Sequence, residues 1–387
     1  MSVTAAPGFV GAGVACGIKA SGDPDLSLVA TEDGRPVTAA AVFTRNKSTA
    51  APVVTTRAHL SATGGRAAAV ILNSGNANAA TGARGLDAAE RMCAAAAGAL
   101  GCAPDEVLVC STGLIGIPLE VTRIEAAVAD LVAARSVENG AEAARAILTT
   151  DTHAKEVVVR RAGLTVGGMA KGAAMLAPNM ATMLAVLTTD ADADAGRLTA
   201  MLQRAVAQSF NSLSVDGCTS TNDTVIVLAN GRAGAVDEAD LQVALTAACT
   251  DLAEQMAGDA EGATKVVRLR VVGAASDEEA AAGARKVAES QLCKCSWYGQ
   301  DPYWGRIVSE LGSSGAAFDP DKVSVAYGGV VVCSAGIAFD HDAAAVKAHM
   351  AQRELDITAE LGLGDGSAVV TTTDLTHAYL DENMGTS

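Results

Sequence analysis

The sequence predicts an α/β protein of the α+β type, built from mixed sheets covered by helices. Three observations lead there. Short β-branched runs alternate with alanine-rich stretches of helical spacing, without a strict βαβ rhythm. Half of the 387 residues are hydrophobic, mostly Ala, Val and Leu, and aromatic residues make up only 3%, so a large core is packed from small side chains. The length exceeds what one small core holds and implies two or three layered domains.

In chain order, AAVFTR (40–45), AAVILN (68–73), VLVC (107–110) and VVVRR (157–161) read as strands. Between them, LDAAERMCAAAAGALG (86–101) reads as a helix stopped by a glycine, and VTRIEAAVADLVAA (121–134) as an amphipathic helix. TMLAVLTT (182–189) is strand-like and precedes a helix over 196–210. TVIVLAN (224–230), a long helix around 236–256 and TKVVRLRVVG (264–273) follow. A helix at 277–291 leads into a glycine-rich aromatic loop, and VSVAYGGVVVC (323–333) closes the series as one strand. No repeat period or long linker interrupts it.

The formal net charge of −16 argues against nucleic acid and anionic membranes as partners, both of which attract basic surfaces. No run of about 18 apolar residues is present, and the N-terminal segment lacks a basic region followed by an apolar block. Nine scattered cysteines suit reduced thiols in a cytoplasmic protein, and Cys293 with Cys295 alone is a poor zinc signature. No metal is therefore expected. The hydrolase and nucleotide motifs H-E-x-x-H, G-x-S-x-G, Walker A and G-x-G-x-x-G are missing.

Chemistry concentrates in a few loops. In KGAAMLAPNMATMLA (171–185) a small-residue loop ends at Thr182, on the first residue of an apolar strand. A threonine hydroxyl is a weak nucleophile and needs a base, and no histidine sits at a motif distance. Cutting the Ala181–Thr182 bond would free an α-amine, with an ordinary pKa of about 7.7–8.0, to deprotonate the same residue's hydroxyl. Against this stands the plain reading of a β-branched residue in a strand. CSTGLIGIPLE (110–120) offers the Thr112 hydroxyl and the Gly113 N–H as oxyanion donors, or else is an ordinary loop. NSGNANAATG (73–82) is turn-prone, and TTDTHAKE (149–156) is either a helix cap or a cluster of donors. GDAEGATK (258–265) holds Glu261, which is either solvated or a partner for an ammonium. SWYGQDPYWGR (296–306) holds both tryptophans, more suited to packing than to catalysis.

Together TTDTHAKE, GGMAKGAAMLAPNMATMLAVLTTDA, CTSTNDT (218–224), GDAEGATK, DPYWGR and NSGNANAATG closely resemble the glutamate N-acetyltransferase / ornithine acetyltransferase family, in order from about residue 7 to residue 383. The resemblance implies self-cleavage between Ala181 and Thr182 into an α chain (1–181) and a β chain (182–387), generally assembled as α2β2. It implies an αββα-type layered fold like that of N-terminal-nucleophile hydrolases, with a distinct topology. The implied reaction moves an acetyl group from N2-acetylornithine to glutamate through Thr182, in arginine biosynthesis. It uses no cofactor, and acetyl-CoA serves some members as a second donor. By the same resemblance, Thr112 and Gly113 form the oxyanion hole. Thr150, Lys171, Glu261 and Asn383 contact substrate, as does the C-terminal hydroxyl residue, here Thr386 or Ser387. Two departures stand out: the chain ends NMGTS without the family's usual tyrosine, and Tyr303 occupies a position where asparagine is usual. Two other readings compete with this one, an aminopeptidase or amidase of the same superfamily and an uncleaved binding protein.

Overall fold

The computed structural model describes residues 2–177 and 183–385. The chain forms two compact units, Met1–Asn211 with Cys218–Asp259, and Ser212–Gly217 with Ala260–Ser387. These units do not coincide with the two expected fragments, whose boundary falls inside the first unit.

The first unit contains β1 (Phe9–Val14), β2 (Leu26–Thr31), β3 (Val37–Phe43), α1 (Ala51–Ala62), β4 (Arg66–Ala67), β5 (Ala69–Asn73), α2 (Gly82–Leu100), β6 (Val107–Ser111), α3 (Val121–Ala133) and α4 (Gly140–Arg145). It continues with β7 (Lys155–Arg161), β8 (Leu164–Lys171), β9 (Leu184–Ala191) and α5 (Ala195–Gln208). After β10 (Leu213–Ser214), which belongs to the second unit, come β11 (Thr224–Gly234) and α6 (Glu238–Gly258).

Two sheets, ordered β1-β2-β5-β6 and β4-β3-β11-β9-β8-β7, lie face to face. Strands β2, β5, β6, β8 and β9 are buried on both sides, so their successive residues serve different layers. Leu28, Ile71 and Val109 join Met92 of α2 and Ile124 of α3 in an outer layer. Their neighbours Val29, Val70, Leu72 and Leu108 meet Met169, Val186, Ile226 and Leu228 of the six-stranded sheet. Helices α5 and α6 cover that sheet's other face, where Gly168 makes room for Leu252 of α6. The layering is therefore α, β, β, α, as the family resemblance implied. Helix α2 ends at Gly101 in the left-handed region (φ 79°), the stop read from the sequence.

The second unit holds β12 (Val266–Ala274), α7 (Asp277–Ala288), α8 (Gln291–Tyr298), α9 (Trp304–Gly312), β13 (Ser324–Tyr327), β14 (Val330–Ser334), β15 (Ile337–Ala338), α10 (Ala343–Met350), β16 (Glu354–Glu360), β17 (Gly366–Thr373) and α11 (His377–Asn383). Its seven-stranded mixed sheet runs β10-β17-β12-β16-β13-β14-β15. Val267, Leu269 and Val271 pack with Val287, Trp297, Leu311 and Met350 from the helices.

Three expectations change here. The strand read at 323–333 is a hairpin, because Gly328 and Gly329 both take positive φ (55° and 81°) and turn the chain between β13 and β14. The helix read at 277–291 ends at Ala288, and a new one begins after Ser290, whose hydroxyl accepts from the Cys293 N–H. The aromatic loop is mostly helical: Trp297 lies in α8, fully buried, and Trp304 opens α9. Among the described residues no helix is long and apolar enough to cross a membrane.

Leu28 is fully buried at the α–β layer boundary, whereas Val243 on α6 is 46% exposed. Leu28→Ala should lower stability by about 2–5 kcal/mol, and Val243→Ala by less than about 0.5 kcal/mol. Urea unfolding of the two variants compares them directly, and similar losses would contradict the layer assignment.

Candidate functional site

The end of β8 and the starts of β9 and β11 lie together through the sheet pairings, and Asn222 ties the end of β6 to them. Strand β8 pairs antiparallel with β9, Lys171 opposite Leu184. Strand β9 pairs parallel with β11, Leu184 opposite Thr224. The segment just before β11 is TSTND, and it ties three loops. Asn222 Nδ2 donates to the carbonyls of Ala77 (2.6 Å) and Ser111 (2.9 Å). Asp223 Oδ1 accepts from the Met183 N–H at 3.0 Å. The NSGNANAATG and CSTGLIGIPLE loops, separate in the sequence, are zipped together. Asn76 bridges to Thr112 and to Leu114, and the Thr112 N–H donates to the Asn73 carbonyl at 3.0 Å.

Thr112 is buried, while Gly113 follows it on the exposed side of the turn. Gly113 has φ +128°, and a β-carbon there would lie 2.3 Å from the Gly75 carbonyl carbon and 2.5 Å from the Asn76 nitrogen. Only glycine fits, since both obstacles are backbone. Lys171, buried at the end of β8, points its ammonium into this corner. Its Nζ donates to Thr149 Oγ1 at 2.5 Å and lies 3.5 Å from Thr112 Oγ1 and 3.5 Å from Asp151 Oδ2. The structure thus joins Lys171, Thr112 and Gly113, as expected. It sets Thr149 rather than Thr150 on the lysine, and Thr150 is exposed.

Behind Lys171 lies a buried chain of charges. Asp151 Oδ1 accepts from Lys155 Nζ at 2.6 Å and from the Gly172 N–H at 2.7 Å, and Oδ2 accepts from the Thr149 N–H at 3.2 Å. Lys155 also pairs with Asp259, which accepts from the Thr152 N–H at 3.0 Å and from its hydroxyl. Burial opposes the Asp151 carboxylate, but Lys171 and Lys155 overcome it and hold its pKa well below the usual range. Lys19 is a further ammonium near this group. Its pKa is lowered, first by burial, and its side chain runs beside Gly75 of the same corner. Asp151 and Asp259 lie in the TTDTHAKE and GDAEGATK segments and Lys19 in neither, but the partners of all three are set by tertiary contact.

In the second unit Glu261 and Asn383 also come together. Asn383 Nδ2 donates to Glu261 Oε2 at 2.9 Å and to the Tyr379 carbonyl at 2.9 Å. Gly262 allows this close approach, since a β-carbon there would lie 2.3 Å from the Tyr379 nitrogen. Ala181, Thr182, Thr386 and Ser387 lie outside the described residues. A cavity of about 310 Å³ lies between the start of α2 and Pro118–Thr122, and none of the expected site residues lines it. Among the described residues no group of three or more His, Cys, Asp or Glu side chains could hold a metal ion.

A model of the ArgJ family matches residues 10–385. The arginine biosynthesis bifunctional protein ArgJ of Thermobifida fusca is 47% identical over 388 residues, covering 100% of both chains. Its counterpart in Mycobacterium leprae is 47% identical over 394 residues, covering 100% of this chain and 95% of the relative. Among solved structures, the arginine biosynthesis bifunctional protein ArgJ of Bacillus halodurans is 36% identical with a TM-score of 0.49, covering 51% of this chain and 95% of that one. The ornithine acetyltransferase of Mycobacterium tuberculosis, solved with ornithine, is 45% identical with a TM-score of 0.41, covering 46% of this chain and 94% of that one.

Asp223 gives the site a pH signature. Its carboxyl is fully buried, and burial pushes its pKa well above the ordinary 3.8, outweighing the Met183 N–H, Ser220 and Lys171, which lower it. Above that ordinary value the unfolded chain releases the proton while the folded chain keeps it, so this group makes stability fall as pH rises. Asp223→Asn retains an acceptor for Met183 and has no proton to lose. The variant should gain stability relative to the wild type as pH rises above the ordinary value of 3.8, read from urea midpoints. A constant difference would mean that Asp223 ionises normally in the fold.

Proposed function

The chain belongs to the ArgJ family and is an acyltransferase of arginine biosynthesis, and on that premise we propose that it transfers acetyl from N2-acetylornithine to glutamate through an acetyl-Thr182 intermediate. The observation that carries this reading is the corner made by Lys171 Nζ, Thr112 Oγ1 and Gly113, with Lys171 paired opposite Leu184, two residues past Thr182.

The chain cuts itself between Ala181 and Thr182. The two fragments, 1–181 and 182–387, stay joined through the β8–β9 pairing and assemble as α2β2. The freed α-amine of Thr182 takes the proton of its own hydroxyl, and Oγ1 attacks the acetyl carbonyl of acetylornithine. The Thr112 hydroxyl and the Gly113 N–H meet the oxyanion that forms. The α-amine returns its proton to the leaving ornithine nitrogen, and glutamate's amine then takes the acetyl group by the reverse steps. Lys171 holds the carboxylate shared by both amino acids, and Thr149 and Thr150 flank it. Glu261, braced by Asn383, receives an ammonium, and the C-terminal hydroxyl of Thr386 or Ser387 completes the substrate contacts. No cofactor takes part, acetyl-CoA serves as an alternative acetyl donor, and the enzyme works in the cytoplasm.

Incubation with N2-acetylornithine, with and without glutamate, tests this reading. N-acetylglutamate should form only with glutamate, and double-reciprocal plots at fixed glutamate levels should be parallel. Release of acetate at the same rate with or without glutamate would make the protein an amidase instead.

Two variants address the residues. Thr182→Ala should give one uncut chain without transferase activity, seen as a single band on a denaturing gel, and turnover by this variant would remove Thr182 from the mechanism. Thr112→Ala should lower kcat by about a hundredfold or more, with a much smaller change in KM. An effect confined to KM would make Thr112 a substrate-binding residue only.

A further inference from the structure

We infer that Asp151 is the positioning residue of the site: it aims the Lys171 ammonium at Thr112, with Lys155 and Asp259 as its own counter-charges. The inference rests on the reading that Lys171 holds the substrate carboxylate, and it assigns a role to three residues that the reaction scheme above does not use.

The geometry carries it. Asp151 is fully buried at the side chain, as is Lys155, and Lys171 and Asp259 are nearly so. The four groups alternate in sign, Lys171, Asp151, Lys155, Asp259, and sum to zero formal charge. An isolated buried charge is far more costly than a paired one, so each member depends on its neighbours. Both carboxylate oxygens of Asp151 work as acceptors. One takes Lys155 Nζ and the Gly172 N–H, and the other faces the Thr149 N–H and Lys171 Nζ.

This arrangement fixes two things at once. Asp151 orders residue 149 through its backbone, and the Thr149 hydroxyl then receives the lysine. Asp151 also holds the backbone of Gly172, the residue after Lys171, so the root and the tip of the lysine answer to one carboxyl. Gly172 itself has φ +156° at the end of β8, where the chain leaves the sheet. An amide cannot replace this group. Whichever way an asparagine side chain turned at this position, its NH₂ would face donors, either Lys155 and Gly172 or Thr149 and Lys171.

A purely structural role is separable from a positioning one. Asp151→Asn takes the counter-charge from Lys171 and leaves Lys155 with Asp259 alone, so it should lower stability and raise KM for N2-acetylornithine by about tenfold or more. In the double variant Asp151→Asn with Lys155→Met, the formal charge of the cluster returns to zero, and Asp259, without its ammonium, keeps its bonds from Thr152 and lies 3.3 Å from His153 Nδ1. Thermal stability should then recover in part, but KM should stay high. Crystal structures of both variants should show Lys171 Nζ beyond about 3.5 Å from Thr149 Oγ1. Recovery of wild-type KM in the double variant, or a Lys171 that has not moved, overturns the inference. If the wild type fails to turn over acetylornithine, the proposed reaction falls, and the position of Lys171 in the variants still decides this inference by itself.

Discussion

The parallel pairing of β9 with β11 is the constraint on which the site depends. Strand β9 is interior to its sheet, with β8 antiparallel on one edge and β11 parallel on the other. The register with β8 sets Lys171 beside the start of β9. The register with β11 brings Asn222 and Asp223 to the same end. From there Asn222 reaches the carbonyls of Ala77, in the loop after β5, and of Ser111, at the end of β6, so one asparagine couples the two sheets. A slip of one residue along either edge would exchange the faces of β9 and carry Asp223 away from Met183. Hydrogen bonds along both edges also mean that a broken peptide bond ahead of β9 leaves the strand held within its sheet.

Close backbone approach is the second requirement, and it explains the small residues. The turn carrying Thr112 and Gly113 lies against Gly75 and Asn76 so closely that any side chain at 113 would meet backbone. Packing the two loops this tightly fixes the Gly113 backbone, which is the preorganisation that the proposed oxyanion role needs. The alanine-rich helices have a related effect, since they let the layers approach without bulky aromatics between them.

Sequence periodicity made the central elements legible. The runs at 107–110, 157–161 and 224–230, and the helices at 86–101 and 121–134, lie in elements whose boundaries differ by a few residues. Local signals of this kind depend on neighbours in the chain, so they survive without the fold. The strand read at 323–333 failed because paired glycines in a β-branched run fit a bulge as well as a hairpin. In the site, motif resemblance named Lys171, Thr112, Gly113 and Thr150, and the fold sets the first two within 3.5 Å of each other. Only the fold shows that Thr149 turns toward the lysine, because its direction is set by Asp151 and not by spacing. The pairing of Asp259, inside the GDAEGATK segment, was not legible because its partner Lys155 is 104 residues away.

The buried charges raise a question of energy that packing alone does not answer. Removing one member of such a cluster costs about 3–5 kcal/mol, yet replacing a whole buried pair with apolar groups is often neutral or stabilising. Stability therefore gives no reason to bury Lys155 and Asp259 in a fold so well supplied with alanine and valine. Geometry does. A lysine has a long, flexible stem, and at a surface its ammonium samples many positions. Buried and bonded to Thr149, with Asp151 and Thr112 about 3.5 Å away, Lys171 has few. Holding one cation that firmly requires a buried anion, and that anion requires its own cation. Beyond Lys155, the Asp259 carboxylate meets the backbone and hydroxyl of Thr152 and lies 3.3 Å from His153 Nδ1. The length of the cluster follows from the need to place a single ammonium.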